Sequence, residues 1–388
     1  MLDLTHTLPD DGCQGALAGR VFRPDCAGPS VVAIRDDGVF DVTAAFPTMA
    51  ALTEARDPAA ALRAARGERL GALADILANT PEDARDETRP WLLAPVDLHV
   101  IKAAGVTFAV SMIERVIEEK TKGKPAAAAA IRREIQALCG DDLRTLKPGS
   151  PQAMRLKEVL IAQDAWSQYL EVGIGPDAEI FTKAPVLSAV GTGMDAGLHP
   201  MSTWNNPEPE VVLAVSSRGT IAGATLGNDV NLRDVEGRSA LLLGKAKDNN
   251  ASCAIGPLLR LFDRTFSLAD VNACSVTMTI VGDDGFRLGS RSSMTGISRS
   301  PEDLVAQMVN ENHQYPDGAV LFLGAMYAPI EDRDVAGGGF THKPGDVVAV
   351  SSPALGTLVN RMRRSCDCPP WNFGIGDLMR SLARRDLI

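Results

Sequence analysis

The stretch WNNPEPEVVLAVSSRGTIAGATLGND, residues 204–229, contains two apolar runs that are joined by a short polar turn. A proline separates Glu208 from Glu210 at the start of the first run, and an Asn-Asp pair ends the second run. Alternate residues of a strand share a face, so the two glutamates are expected to project together. Because proline is tolerated at the first residues of a strand, the pair is predicted at the open end of a hairpin.

The turn SSRGT sets the pairing of the two strands. A two-residue turn at 218–219 would pair Ser217 with Thr220. With the same register continued along the strands, Asp229 would lie opposite Glu208. The hairpin therefore predicts that three carboxylates meet on one face at one end.

Like charges placed so closely are unfavourable unless a cation lies among them. A cluster of oxygen ligands without a neighbouring His or Cys suits a hard cation, Mg²⁺ first and Mn²⁺ or Ca²⁺ next. Two other interpretations stay open on spacing alone. The acids could be a solvated strand end, or they could hold a structural calcium ion.

Bulk composition is that of an ordinary soluble globular protein. The chain has 388 residues, 45% hydrophobic and 23% charged, which suits two domains. A formal net charge of −10 without a basic patch argues against nucleic acid. No apolar run reaches the ~18 residues of a membrane helix. The acidic N-terminus is unlike a signal peptide, and the seven scattered cysteines suit reduced thiols, so a cytoplasmic location is expected.

The chain divides at the acidic, proline-flanked link NTPEDARDETRPW, so a small N-terminal domain is predicted at 1–90 and a larger one at 95–388. Residues 111–171 read as helical, including the tract KPAAAAAIRRE. From about 180 onward, short β-rich runs follow one another with few helices between them. This pattern predicts an α+β protein with a mostly antiparallel or mixed β core.

Five segments resemble the fumarylacetoacetate hydrolase superfamily in their order along the chain. They are EIFTKAP, EPEVVLAV, GNDVNLRD, GKAKD with AIGP, and KPGDVVAV with LGTLVNRM. Within the superfamily, further segments such as HQYPDG and GFTHK resemble the 2-keto-3-deoxy-D-xylonate (2-dehydro-3-deoxy-D-pentonate) dehydratases.

The resemblance implies a mixed β-roll core with a smaller N-terminal α/β domain, usually as a homodimer, with a dimer of dimers also open. It implies Mg²⁺, or Mn²⁺, held by Glu208, Glu210 and Asp229, the three acids that the hairpin brings together. It also implies a small 2-keto-3-deoxy sugar acid as substrate.

One departure from the superfamily bears on the reaction. Hydrolases of the superfamily carry a water-activating His in the lid region, where this chain has Ser111, while Glu114 is retained. Without an imidazole the usual base is missing, so dehydration is favoured over C–C hydrolysis. A second departure is Ala325, where relatives commonly have Thr.

Candidate roles follow from the resemblance. Glu114 is expected to transfer a proton, and either Lys245 or Lys247 to contact the substrate or make the other transfer. Ser111, Lys183 and Arg233 are expected to bind the substrate, with Lys183 near the metal site and Arg233 behind the strand end of Asp229. Each of these residues could instead be an ordinary ion-pair or surface residue.

Several other charged and aromatic residues are not expected to take part in catalysis directly. Glu118 and Glu119 are expected on a charged helix face, and Trp204 in the core or the pocket wall. His313 and His342 lie in dehydratase-like segments without an assigned role. An acylpyruvate-type C–C hydrolase and a non-catalytic metal-binding protein are the alternatives to a dehydratase.

Overall fold

A computed structural model of the protein describes residues 6–122, 146–162, 166–335 and 338–388. The predicted helical tract KPAAAAAIRRE lies outside the described residues. None of the described helices is long and apolar enough to cross a membrane. The cysteines of the described residues are all free thiols.

In the described residues, sixteen strands form two sheets. They are β1 (Ala16–Arg23), β2 (Gly28–Arg35), β3 (Gly38–Asp41), β4 (Glu68–Gly71), β5 (Trp91–Leu93), β6 (Val100–Gly105), β7 (Glu179–Ala184), β8 (Asp195–Leu198), β9 (Pro209–Val215), β10 (Ile221–Asp229), β11 (Cys253–Leu261), β12 (Ser275–Val281), β13 (Arg287–Ser293), β14 (Ala319–Phe322), β15 (Val347–Ser352) and β16 (Gly356–Arg364).

The described α-helices are mostly short. They are α1 (Met49–Thr53), α2 (Pro58–Ala64), α3 (Leu73–Ala78), α4 (Ala109–Thr121), α5 (Pro151–Ala162), α6 (Gln168–Ile174), α7 (Arg233–Glu236), α8 (Leu243–Lys247), α9 (Leu268–Ala273), α10 (Pro301–Met308) and α11 (Ile375–Arg384). The predicted α+β class is confirmed.

The first sheet has the order β4-β3-β2-β1-β11-β10-β9-β14-β6-β7, with β5 paired to β1, and the second has the order β13-β12-β15-β16-β8. Pairing is antiparallel except between β14 and β6 and between β16 and β8. The expected mixed β core with few crossover helices is therefore present. Both sheets are open.

The predicted division near residue 90 stays a prediction. Strand β1 of the N-terminal segment pairs with β2 and also with β11 of the remainder. The two parts of the chain therefore share one continuous sheet.

Strand β9 lies inside the first sheet and is buried on both faces along its whole length. Val211, Leu213 and Val215 face a core shared with the second sheet. Val212 and Ala214 face the opposite core, which the short helices α1 and α2 help to cover. This two-sided burial explains why the run EVVLAV has no polar alternation.

The hairpin β9–β10 has the predicted register over most of its length. Gly227 pairs with Glu210, and the backbone N–H of Asp229 donates to the carbonyl of Glu208 at 3.0 Å. The predicted turn is wrong by one residue, because Ser216 and Thr220 close a longer loop in which Gly219 has φ +75°.

A register shift between Ile221 and Gly223 corrects this difference. One extra residue in a β-bulge is enough to restore the pairing. The carboxylates therefore meet as the simpler turn predicted, although the turn itself differs.

Leu213→Ala tests the burial of β9. Leu213 is fully buried, so its truncation should lower the free energy of unfolding by about 2–5 kcal/mol. The control Leu241→Ala alters a leucine that is 95% exposed and should change stability by less than about 0.5 kcal/mol. Chemical denaturation measures both. Equal losses for the two variants would contradict the assigned burial.

Candidate metal centre and active site

The predicted metal ligands form one buried cluster. Glu208, Glu210 and Asp229 each offer a carboxylate oxygen, and these oxygens lie within 4.8 Å of one another. All three side chains are at most 2% exposed. The solvated strand end considered from the sequence is therefore wrong, since these acids are removed from water.

The backbone around the cluster holds it in place. The N–H of Glu208 donates to Asn228 Oδ1 at 3.0 Å. The N–H of Gly324 donates to Glu210 Oε2 at 2.6 Å. Gly324 has φ +102°, and a Cβ there would lie 2.0 Å from Thr107 Oγ1, so this position requires glycine.

Two lysines contact the carboxylates directly. Lys247 Nζ lies 2.5 Å from Glu208 Oε2 and 3.1 Å from Asp229 Oδ2. Lys183 Nζ lies 2.9 Å from Asp229 Oδ1. These contacts supply the positive charge that the sequence argument required.

Lys183 is fully buried among protein acceptors rather than open to a substrate. Its Nζ donates to the carbonyls of Val230, at 3.2 Å, and of Lys247, and it lies 3.4 Å from Ser252 Oγ. With the contact to Asp229, its donors are occupied. The geometry is that of a residue that positions Asp229, and the predicted substrate contact stays a prediction.

Lys245 lies outside the cluster. Its side chain is exposed, and its Nζ is 3.2 Å from His199 Nε2. Lys247, two residues later, is 2% exposed and reaches the carboxylates. Of the two lysines that the sequence left open, the structure brings Lys247 to the predicted metal ligands.

Helix α4 brings a further cation, Arg115, which the sequence analysis missed. Its Nη2 donates to Glu208 Oε1, and its Nη1 lies 2.7 Å from Glu118 Oε2 and 2.9 Å from Glu236 Oε2. The spacing of Arg115 and Glu118 by three residues was a readable signal of one helix face. The contacts with Glu208 and Glu236 needed the tertiary structure.

Arg233 connects the predicted proton-transfer residue to the same network. Its Nη2 lies 3.2 Å from Glu114 Oε2, and its Nε donates to Glu118 Oε1 at 2.6 Å. Its Nη1 donates to the carbonyl of Pro329 at 2.8 Å. The guanidinium also lies 4.9 Å from the ring centroid of Trp204, a cation–π contact.

The expectation for Glu118 is wrong. Glu118 is 1% exposed and bridges Arg115 and Arg233, whereas Glu119 is half-buried and accepts a hydrogen bond from Ser167. Helix α4 thus turns a charged face into the protein. That is possible because two arginines neutralise it there.

The remaining sequence candidates fall in different places. Ser111 is within α4, but its side chain lies outside the described residues, so its role stays a prediction. Trp204 is buried, and His313 is exposed. His342 is buried, and its Nδ1 lies 3.0 Å from Asp346 Oδ2.

Burial and neighbouring charges shift the pKa values of the buried carboxyls at the cluster. Burial raises the pKa of Glu208, but Arg115 and Lys247 outweigh it, so the net shift is downward. Burial and the charges of Asp229 and Glu208 raise the pKa of Glu210 well above its usual range. Burial, partly offset by Arg115 and Lys247, raises the pKa of Glu236 to about 7.

The residues present fit a divalent cation. The three predicted ligands are carboxylates, the donors that Mg²⁺ prefers, and two of them are held in position by fixed cations. A carboxyl with an upward-shifted pKa, as in Glu210, marks a place where negative charge is under-compensated. Additional positive charge at the cluster would compensate the negative charge of Glu210.

Residues 209–363 match the family model described as Fumarylacetoacetate (FAA) hydrolase C-terminal. This segment of the chain is similar to the C-terminal domain of the fumarylacetoacetate hydrolase family. The hydrolase-family segment includes Glu210, Asp229, Arg233 and Lys247, and its first residue follows Glu208 directly.

Two curated relatives carry dehydratase names. A "2-dehydro-3-deoxy-D-arabinonate dehydratase" of Saccharolobus solfataricus is 27% identical over 186 residues, which are 48% of this chain and 59% of the relative. A "Probable 2-keto-3-deoxyxylonate dehydratase" of Haloferax volcanii is 31% identical over 192 residues, 50% of this chain and 62% of the relative. The chain therefore spans less than two thirds of either relative.

Solved structures with the same fold extend beyond the hydrolase-family segment. A 2-keto-3-deoxyarabinonate dehydratase in a hexagonal crystal form has a TM-score of 0.62 at 19% identity, covering 90% of this chain and 99% of that chain. A structure of 2-keto-3-deoxy-D-arabinonate dehydratase complexed with magnesium and 2,5-dioxopentanoate has a TM-score of 0.60 at 19% identity, with the same coverage. At these identities the likeness shows the fold alone.

Glu118→Gln tests the buried charge network of α4. The amide keeps the shape but leaves Arg115 and Arg233 under-compensated, so the free energy of unfolding should fall by about 3–5 kcal/mol. Chemical denaturation of metal-free protein measures the change. The neighbouring Glu119→Gln is the control and should cost no more than about 1 kcal/mol. A loss for Glu118→Gln as small as that of the control would contradict the network.

Proposed function

We propose that the protein is a Mg²⁺-dependent hydro-lyase that dehydrates a 2-keto-3-deoxy-pentonate, such as 2-keto-3-deoxy-D-xylonate, to 2-oxoglutarate semialdehyde. The observation that carries the proposal is the buried cluster in which the three hairpin carboxylates adjoin helix α4 with Glu114. The names of the two curated relatives support the substrate class. Mn²⁺ as the alternative ion, a homodimer or dimer of dimers, and a cytoplasmic location stay predictions.

In this proposal Glu208, Glu210 and Asp229 hold the Mg²⁺. The ion would supply Lewis acidity towards the carboxylate and keto oxygens of a 2-keto acid. The protein's own share is to fix the three ligands. Arg115 contacts Glu208, and Lys183 contacts Asp229. Each contact holds its carboxylate in position.

Glu114 is proposed to take the proton from C3 of the substrate. Arg233 contacts its carboxylate at 3.2 Å and would hold it in a fixed orientation. Loss of the C4 hydroxyl as water follows, and proton transfer from C5 to C3 gives an enol between C4 and C5. Protonation of this enol at C4, with loss of the C5 hydroxyl proton, completes the semialdehyde. Lys247 is proposed for contact with the substrate or for the second transfer, because it reaches the carboxylates and Lys245 does not.

The reaction is tested by incubating the protein and Mg²⁺ with 2-keto-3-deoxy-D-xylonate, and separately with acetylpyruvate, while products are followed by mass spectrometry. We expect water loss from the sugar acid without fragmentation. Release of pyruvate from acetylpyruvate would instead support a C–C hydrolase. Binding of Mg²⁺ without turnover of either compound would support a non-catalytic metal-binding protein.

Glu210→Gln tests the metal assignment within this function. The amide preserves size and the contact with Gly324 but removes a charged ligand, so Mg²⁺-dependent turnover should be lost. The assay is turnover as a function of Mg²⁺ concentration. Full activity in the variant would refute the role of Glu210.

Glu114→Gln tests the proton transfer. The variant should lower kcat by about 10²–10⁴-fold, because general-base catalysis contributes a factor of this size. The substrate KM and the Mg²⁺ affinity should change much less, since Glu114 is not one of the three ligands. Glu119→Gln on the same helix is the control. Normal turnover of Glu114→Gln would show that another group takes the proton.

A further inference from the structure

The ammonium group of Lys247 bridges two of the three proposed metal ligands. Its Nζ is 2.5 Å from Glu208 Oε2 and 3.1 Å from Asp229 Oδ2, and the side chain is 2% exposed. These carboxylates are its hydrogen-bond acceptors in the described part of the structure. The lysine therefore stands where a cation shared by the two acids would be found.

We propose that the Lys247 ammonium and a divalent cation are alternative occupants of the carboxylate cluster, so that metal binding displaces Lys247 from Glu208 and Asp229. The inference deepens the proposed function and rests on its metal site. It assigns Lys247 a role before any substrate arrives, as the internal cation that keeps the ligands together in the metal-free protein.

Distances make the two occupants incompatible. A Mg²⁺ bonded to Glu208 Oε2 at about 2.1 Å could lie no farther than about 4.6 Å from Nζ, given the 2.5 Å contact. Two cations so close in a buried site repel each other strongly, because little water separates them. The other oxygen of Glu208 offers no easier place, since Arg115 contacts it.

Of the three cationic side chains at the cluster, Lys247 is the one that can leave. Lys183 is also tied to the carbonyl of Val230 and to Ser252, and Arg115 is also tied to Glu118 and Glu236. The Nζ of Lys247 sits on a flexible four-carbon stem.

The main chain of Lys247 would stay in place during such a change. Its carbonyl accepts hydrogen bonds from Lys183 Nζ and, at 2.8 Å, from Ser252 Oγ. The exchange therefore needs only rotation of one side chain and leaves helix α8 where it is.

Charge balance favours the same exchange. Three carboxylates meet three cationic side chains, Arg115, Lys183 and Lys247, at the cluster. Arg115 is shared with Glu118 and Glu236, and withdrawal of the Lys247 ammonium would offset one of the two positive charges that a divalent cation adds. An anionic substrate would balance the remainder.

The test compares Lys247→Met with Lys245→Met, a matched control on the same helix whose lysine is exposed and paired with His199. Isothermal titration of the metal-free proteins with MgCl₂ alone gives the affinity, and thermal denaturation with and without Mg²⁺ gives the stability. Lys247→Met should bind Mg²⁺ at least tenfold more tightly than wild type. Its metal-free Tm should fall, and Mg²⁺ should raise its Tm more than that of wild type. Lys245→Met should match wild type in all measurements.

Lys247→Gln serves as the second variant if Lys247→Met does not fold without metal, because its amide can still bridge two carboxylates without charge. The same tenfold gain is expected. A folded variant whose Mg²⁺ affinity equals or falls below that of wild type overturns the exchange alone. A wild-type protein that binds no Mg²⁺ overturns the exchange and the metal site together. Since no substrate is present, neither result depends on turnover.

Discussion

The structure depends on the neutralisation of three carboxylates that the hairpin β9–β10 removes from water. Burying one unpaired carboxylate is costly, and burying three together is tolerated only where cations and hydrogen-bond donors surround them. Arg115, Lys183 and Lys247 provide the positive charge, and Gly324 provides a backbone donor. The elements around the hairpin are arranged to deliver these groups.

Each of those elements serves the cluster through its own local geometry. The two-sided core around β9 fixes the hairpin, so Glu208 and Glu210 cannot turn out towards solvent. Helix α4 supplies Arg115 and Glu114 from a face that carries charged residues. The short helices α7 and α8 supply Arg233 and Lys247 within twenty residues of Asp229. Catalytic candidates and structural counter-ions are therefore parts of one network, and a change in either affects the other.

The sequence predicted the part of this site that follows from strand geometry. Side-chain alternation and a short turn were enough to bring Glu208, Glu210 and Asp229 together. The wrong prediction of the turn did not change the predicted pairing of the acids, because a bulge after Ile221 restores the register. The structure selects Lys247 over Lys245 as the neighbour of the carboxylates, because Lys247 is buried and Lys245 is exposed. The spacing of the two lysines along the chain gave no information on their burial.

What the sequence missed lies in contacts between distant segments. Arg115 and Glu208 are 93 residues apart, and Arg233 and Glu118 are 115 residues apart. Charged residues on a helix are usually solvated, so Glu118 was expected at the surface. Only the docking of α4 against α7 converts that face into an interior one.

The central claim is that the three carboxylates share one divalent cation. A crystal structure of the protein grown with Mg²⁺ tests it most directly, with Mn²⁺ used in a second crystal to locate the ion by anomalous scattering. We expect a single ion bonded to one oxygen each of Glu208, Glu210 and Asp229 at about 2.1 Å. An ion bound elsewhere, with Glu208 and Asp229 still bridged by Lys247, would contradict it.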